Sequence, residues 1–156
     1  MSENISKIRW GKCTWVLFHT IAEKVNASYY EKNRWVIFDM IRQICKFLPC
    51  PYCADHATQF LSNVKIESIS NKQQFRAMLF CFHNSVNKRI GKPEFKYSSL
   101  AIYKNYNMGI ALHNFLIFYA KRYNGTLQSG ITSTEMTRRK IAHSVTNWFR
   151  NNWVNF

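Results

Sequence analysis

RWVIFDMIRQICKFLPCPYCADHATQFLS, residues 34–62, is the stretch that decides how this chain folds. Trp35, Phe38, Ile41, Ile44 and Cys45 recur at the three- and four-residue spacing that gathers apolar groups on one helix face. Pro49 ends that run, because the proline ring crowds the α conformation of the residue before it. Pro51 then suits the first turn of a new helix, where its missing N–H has no bond to lose. Cys50 and Cys53 of Cys-Pro-Tyr-Cys therefore fall at a helix N-terminus, where the positive end of the dipole favours a thiolate. Two cysteines at this spacing either close a reducible disulfide or hold a metal ion, and the spacing leaves both open.

Working outward, the periodicity predicts helices over 6–25, 29–47, 51–62 and 72–90. A shorter helix is expected over 98–106, and two more over 108–123 and 133–152, split by 124–132. Residues 26–28 read as a turn and 63–70 as a connection. Asn71 caps the fourth helix, and Gly91 with Pro93 closes it. Only five Gly and three Pro interrupt these segments, and no strand pattern, repeat or low-complexity run stands out. The fold class expected is all-α.

Hydrophobic residues at 47% and aromatics at 16% argue for a packed core and against disorder. The net charge of +14 comes from 22 Lys+Arg against 8 Asp+Glu. The basic residues are spread along the chain, which reads as a solvated basic face; no motif indicates nucleic acid as a partner. Residues 1–9 are polar, so no signal peptide is expected, and the apolar stretch 110–120 is too short and too polar to span a bilayer. The expectation is a cytoplasmic protein with no membrane partner. In that reducing setting a CxxC is catalytic or metal-binding rather than a structural staple. Cys13, Cys45 and Cys81 stand alone in apolar-periodic segments and are expected to be buried free thiols.

Two further segments carry chemistry. In WGKCTWVLFH, Trp15 and His19 are four apart and share a helix face, and His83 and Asn87 do the same in FHNSVNKRIGKPEF. Singly, these are ordinary: Trp at helical spacing is usually core, His in an apolar helix is usually a satisfied interior group, and Lys88, Arg89 and Lys92 suit a helix C-terminus. Together they outline a cofactor pocket. Indole and imidazole faces can sandwich an adenine, Asn amides can bond a ring or ribose, and the basic cluster can neutralise a pyrophosphate. A redox disulfide nearby could exchange electrons with a flavin.

WGKCTWVLFH, LPCPYCADH and FHNSVNKRIGKPEF followed by Tyr97 and Tyr103 resemble, in order and approximate spacing, the Erv/ALR family of FAD-linked sulfhydryl oxidases. The likeness covers 8–106 and extends to the short thiol oxidases of large cytoplasmic DNA viruses. It implies a four-helix bundle cradling FAD, a short fifth helix closing the pocket, and additional C-terminal helices. It implies an oxidase domain over 1–106, with 107–156 as a helical extension packing on the core or at an oligomer interface. By resemblance, Cys53 is the flavin-proximal cysteine and Cys50 the more exposed one that substrate attacks. Arg9, Trp10, Gly11, Trp15 and His19 would line one side of the FAD site, and His83, Asn84, Val86, Asn87, Lys88, Arg89 and Lys92 another. Tyr103 falls where cellular members carry Trp, and His56 lies near enough to the redox pair to touch the flavin.

The implied activity is disulfide formation in client proteins, with electrons passing through the CxxC pair and flavin to oxygen and giving hydrogen peroxide. The sequence holds no second CxxC, so clients would reduce the pair directly or through a relay redox protein. A homodimer is expected, as are action in host cytoplasm during virion assembly and association with the virion, which follow from the viral likeness. The competing reading is a non-enzymatic zinc module, with Cys50, Cys53, His56 and His83 as ligands and a basic surface that binds nucleic acid. Zinc explains neither WGxxxWxxxH nor HNxVN, so no metal site is assigned.

Overall fold

The computed structural model describes residues 2–121, 130 and 132–156, with side chains from Arg9 onward. Helix α1 spans Ser2–Lys24, α2 Ala27–Lys46, α3 Pro51–Ser62, α4 Lys72–Arg89, α5 Met108–Tyr119 and α6 Ser133–Asn152. Single turns of 3₁₀ helix occupy Ile66–Ser68 and Trp153–Asn155, and a longer 3₁₀ segment runs over Tyr97–Asn105. Among the described residues there is no strand, and the all-α class holds.

Local chemistry sets most boundaries. Asn26 is the N-cap of α2, its Oδ1 accepting from the backbone N–H of Ser28 and Tyr29, so the helix begins two residues before the expected Tyr29. Cys50 caps α3, its Sγ accepting from Cys53 N–H at 3.3 Å, with Pro51 in the first turn. Asn71 and Gln74 close a reciprocal capping box on α4, and Gly91 takes the left-handed conformation just past its end, at φ +71°. The expected short helix over 98–106 is the 3₁₀ segment, and the connection over 63–70 contains a 3₁₀ turn. Helix α5 stops at Tyr119 with Ala120 as its C-cap, short of the expected end at 123, and residues 122–123 with nearly all of the 124–132 break lie outside the described residues.

The buried faces of the helices meet in one cluster. Leu17, Phe18 and Ile21 of α1 join Ile37, Ile41 and Ile44 of α2 and Phe75, Leu79 and Phe82 of α4. Phe115 and Tyr119 of α5 and Val145 and Phe149 of α6 enter the same cluster. Each fully buried large side chain contributes about 1.5–3 kcal/mol of hydrophobic free energy. Helix α5 lies along α1, and α6 packs on α2 and α5. Polar bonds fix the C-terminal helices in place. Tyr119 Oη donates to the Ile44 carbonyl (3.1 Å) while its own carbonyl accepts from Arg138 Nε (3.2 Å). Asn26 N–H donates to the Asn155 carbonyl at 2.7 Å, and Tyr29 Oη donates to Asn152 Oδ1 at 2.7 Å. Among the described residues, no helix is long and apolar enough to cross a membrane.

Candidate redox site

Cys50 and Cys53 are disulfide-bonded, with Cα atoms 5.2 Å apart. The spacing left disulfide and metal open, and the structure takes the disulfide. The bond sits on the first turn of α3, where both sulfurs are partly buried. The residue between them, Tyr52, is 72% exposed. The Arg89 guanidinium lies 3.8 Å from the centre of its ring, and Arg89 Nη2 donates to the Tyr52 carbonyl at 3.3 Å. Arg89 thus ties the end of α4 to the redox turn. His56 follows one turn along α3. Its Nδ1 is buried without a hydrogen-bond partner among the described residues, and burial, with the Arg89 charge, holds the imidazole below its usual pKa.

A second cluster forms where α1, α4 and the 3₁₀ segment meet. Trp15 stacks on His83 with centroids 4.2 Å apart and planes 8° from parallel. His19 Nε2 and His83 Nδ1 share a hydrogen bond of 3.0 Å. Tyr103 stacks on His19 at 4.9 Å, and Phe95 on His83 at 5.0 Å. Phe82 lies edge-on to Trp15 at 5.0 Å and stacks on Phe60 of α3 at 4.7 Å, joining this cluster to the helix that carries the cysteines. Burial, then the neighbouring His83, pushes His19 down to about 3; burial, then the Lys92 charge, pushes His83 down to about 4. Both imidazoles are neutral at physiological pH, and one donates its N–H to the other.

The other site residues named from the sequence scatter more. Asn84 donates to the Phe95 carbonyl at 3.0 Å and accepts from Phe95 N–H at 2.8 Å, so its amide holds a loop rather than facing a pocket. Trp10 is buried with no partner for its Nε1 among the described residues, and a Cβ added to Gly11 would meet nothing within 4 Å. Asn87 is buried, its carbonyl accepting from Lys92 N–H at 2.9 Å, and Val86 packs against the core. Lys88 and Lys92 are exposed. Arg9 leans toward α5, with its guanidinium 5.9 Å from the Phe118 ring. Trp15 and His83 touch face to face, so a planar ring would meet the outside of the pair rather than enter between them. The sequence does not single out Phe95, because only the fold returns it to the ring cluster. Cys45 is buried as expected, but Cys81 is exposed and Cys13 only partly covered; all three are free thiols. For the zinc reading, His83 pairs with His19, and no group of three His, Cys, Asp or Glu is placed to hold a metal ion among the described residues.

The profile of the Erv1/Alr family matches residues 12–107, more than half of the chain and the part that carries both clusters. The chain belongs to the Erv1/Alr family. A protein of invertebrate iridescent virus 3, provisionally named an FAD-linked sulfhydryl oxidase, is 33% identical over 86 residues, covering 54% of this chain and 58% of that protein. The chain thus spans less than two thirds of that relative. A provisionally named FAD-linked sulfhydryl oxidase of invertebrate iridescent virus 6 is 35% identical over 94 residues, covering 54% of this chain and 81% of the relative. The FAD-linked sulfhydryl oxidase of African swine fever virus is 30% identical over 98 residues, covering 63% and 79%. No solved structure matches the chain.

Proposed function

We propose that this protein is an FAD-linked sulfhydryl oxidase that forms disulfide bonds in thiol-containing client proteins. The observation that carries the reading is the Cys50–Cys53 disulfide on the first turn of α3 in a chain of this family. A client thiolate attacks Cys50 Sγ. The new bond is a mixed disulfide, and the Cys50–Cys53 bond breaks with its electron pair left on Cys53 Sγ. The α3 N-terminus stabilises the negative charge that appears there. A second client thiolate attacks the client sulfur of the mixed disulfide. The client leaves oxidised, and Cys50 leaves as a thiolate. His56, neutral and with its Nδ1 unpartnered, is suited to hold a proton beside the pair.

The residues fit a flavin dinucleotide. Trp15, His83 and Phe95, the partly exposed members of the ring cluster, offer uncharged faces that suit a planar ring system, and buried His19 and Tyr103 back them. Trp10 offers an unpartnered N–H, and open space lies beside Gly11. Exposed Lys88 and Lys92 supply charge for phosphate, and Asn84 acts by positioning Phe95. When bound, FAD supplies the two-electron acceptor that re-forms the disulfide, with oxygen as final oxidant and hydrogen peroxide as product. The viral relatives support a place in virion assembly in host cytoplasm. A homodimer is also part of the reading, and light scattering tests it.

The purified protein should be yellow, release FAD on denaturation, and consume oxygen with a dithiol. A protein that stays colourless after FAD is supplied, or that binds FAD yet consumes no oxygen, would contradict the reading.

A further inference from the structure

A cavity of about 500 Å³ opens between the last turn of α1, the first turns of α4 and the 3₁₀ segment. Its lining is Glu23, Lys24, Lys72, Gln73, Arg76 and Lys104, none of which belongs to the disulfide or the ring cluster. Four of the six are cations and one is a carboxylate. Glu23 is buried and ion-paired with Arg76, so its charge is already engaged.

This arrangement opposes local electrostatics. Lys72 opens α4, where no acidic residue stands in the first turn and where the helix dipole disfavours cations. Arg76 follows Lys72 at i+4, a like-charge spacing that destabilises a helix. Lys104 brings a third positive group to Lys72 from another element, and Lys72 sits partly buried, its pKa lowered by burial and by Arg76 and Lys104 against the opposing pull of Glu23. Beyond the Glu23–Arg76 pair, three cations gathered into a concave site without a further carboxylate break a local rule, and such breaks mark functional sites. The cavity has the size of a small-ligand pocket, within about 300–1,000 Å³.

We infer that this cleft is a polyphosphate-binding site, in which Lys24, Lys72, Arg76 and Lys104 receive a small, multiply charged phosphate ligand. The inference does not depend on the oxidase reading. The ligand is a free polyphosphate, because Lys88 and Lys92 lie outside this lining and serve the phosphate of FAD. Glu23 lies one turn beyond His19 on α1, and Lys104 follows Tyr103, so the cleft borders the ring cluster.

Calorimetric titration with inorganic pyrophosphate at fixed ionic strength tests the site on the full chain, with and without FAD. Saturable one-to-one binding is expected. Lys72→Glu and Lys104→Glu should each weaken it by about tenfold or more, since each reverses a charge facing the ligand. Lys32→Glu, an exposed change on α2 outside the lining, should leave it within about twofold, because an exposed charge that does not face the ligand is screened by salt. Equal binding in the FAD-loaded protein is expected, and displacement by FAD would overturn the inference by returning the cleft to the cofactor site. Absence of saturable binding, or equal weakening by Lys32→Glu, would overturn the inference by reducing it to the overall charge of +14. Oxygen consumption measured in parallel reports on the oxidase reading separately.

Discussion

Replacing Arg89 by Ala removes two contacts to the redox turn at once: the guanidinium 3.8 Å over the Tyr52 ring, and the 3.3 Å bond to the Tyr52 carbonyl. A cation over an exposed ring contributes about 0.5–1 kcal/mol. The hydrogen bond adds about 1 kcal/mol at most, because both groups can turn to water when it is lost. Arg89→Ala should therefore destabilise the oxidised protein by about 0.5–2 kcal/mol in urea unfolding. Tyr52→Ala removes the ring but keeps the carbonyl, so a double-mutant cycle should return the ring contribution alone, about 0.5–1 kcal/mol. Because Arg89 is engaged with Tyr52, FAD affinity should stay within about twofold in Arg89→Ala, as expected for changes away from shared partners. A coupling energy near zero together with a large loss of FAD affinity would refute this reasoning and return Arg89 to the phosphate role that the basic cluster suggests.

Other outcomes follow from the same geometry. The pKa values of His19 and His83, lowered to about 3 and about 4, mean that the fold favours neutral imidazoles. Their contribution to stability is complete above about pH 6.5 and is lost as pH falls toward about 4, by at most about 1.4 kcal/mol per pH unit per proton. FAD-free protein should lose stability between pH 6.5 and 5 by this route, and His83→Gln should flatten the slope; equal slopes would contradict it. Asn84→Ala strands both polar groups of Phe95 and should cost about 1–3 kcal/mol in urea unfolding, with Asn84→Asp, which keeps the acceptor, losing less. Gly91→Ala forces a side chain into φ +71° although nothing lies within 4 Å of the new Cβ. It should cost about 1–2 kcal/mol from the backbone alone, read as a lower Tm.

Features set by neighbours in the chain were legible in the sequence. Pro49 and Pro51 bracket Cys50, and Asn71 and Gly91 bound α4, because capping and proline sterics act within a few residues. The same logic misread Asn26 as part of a turn, since a capping Asn and a turn Asn look alike until the helix beyond it is seen. WGxxxWxxxH and HNxVN located the ring cluster, whose members Trp15, His19 and His83 lie on two helices. Contacts across the fold were not legible. Asn84 reaches a backbone eleven residues on, Arg89 reaches Tyr52 across thirty-seven, and Arg9 turns to α5. Cys81 has the apolar neighbours of a core residue yet lies on the open face of α4, because helical spacing groups residues without saying which face a partner covers.

The most direct test is anaerobic reduction of the FAD-loaded protein by a dithiol, followed by flavin absorbance. The flavin should bleach in the wild type and stay oxidised in Cys53→Ser, with FAD still bound. Bleaching at the wild-type rate in Cys53→Ser would contradict the central claim that electrons pass from client thiols through the Cys50–Cys53 pair.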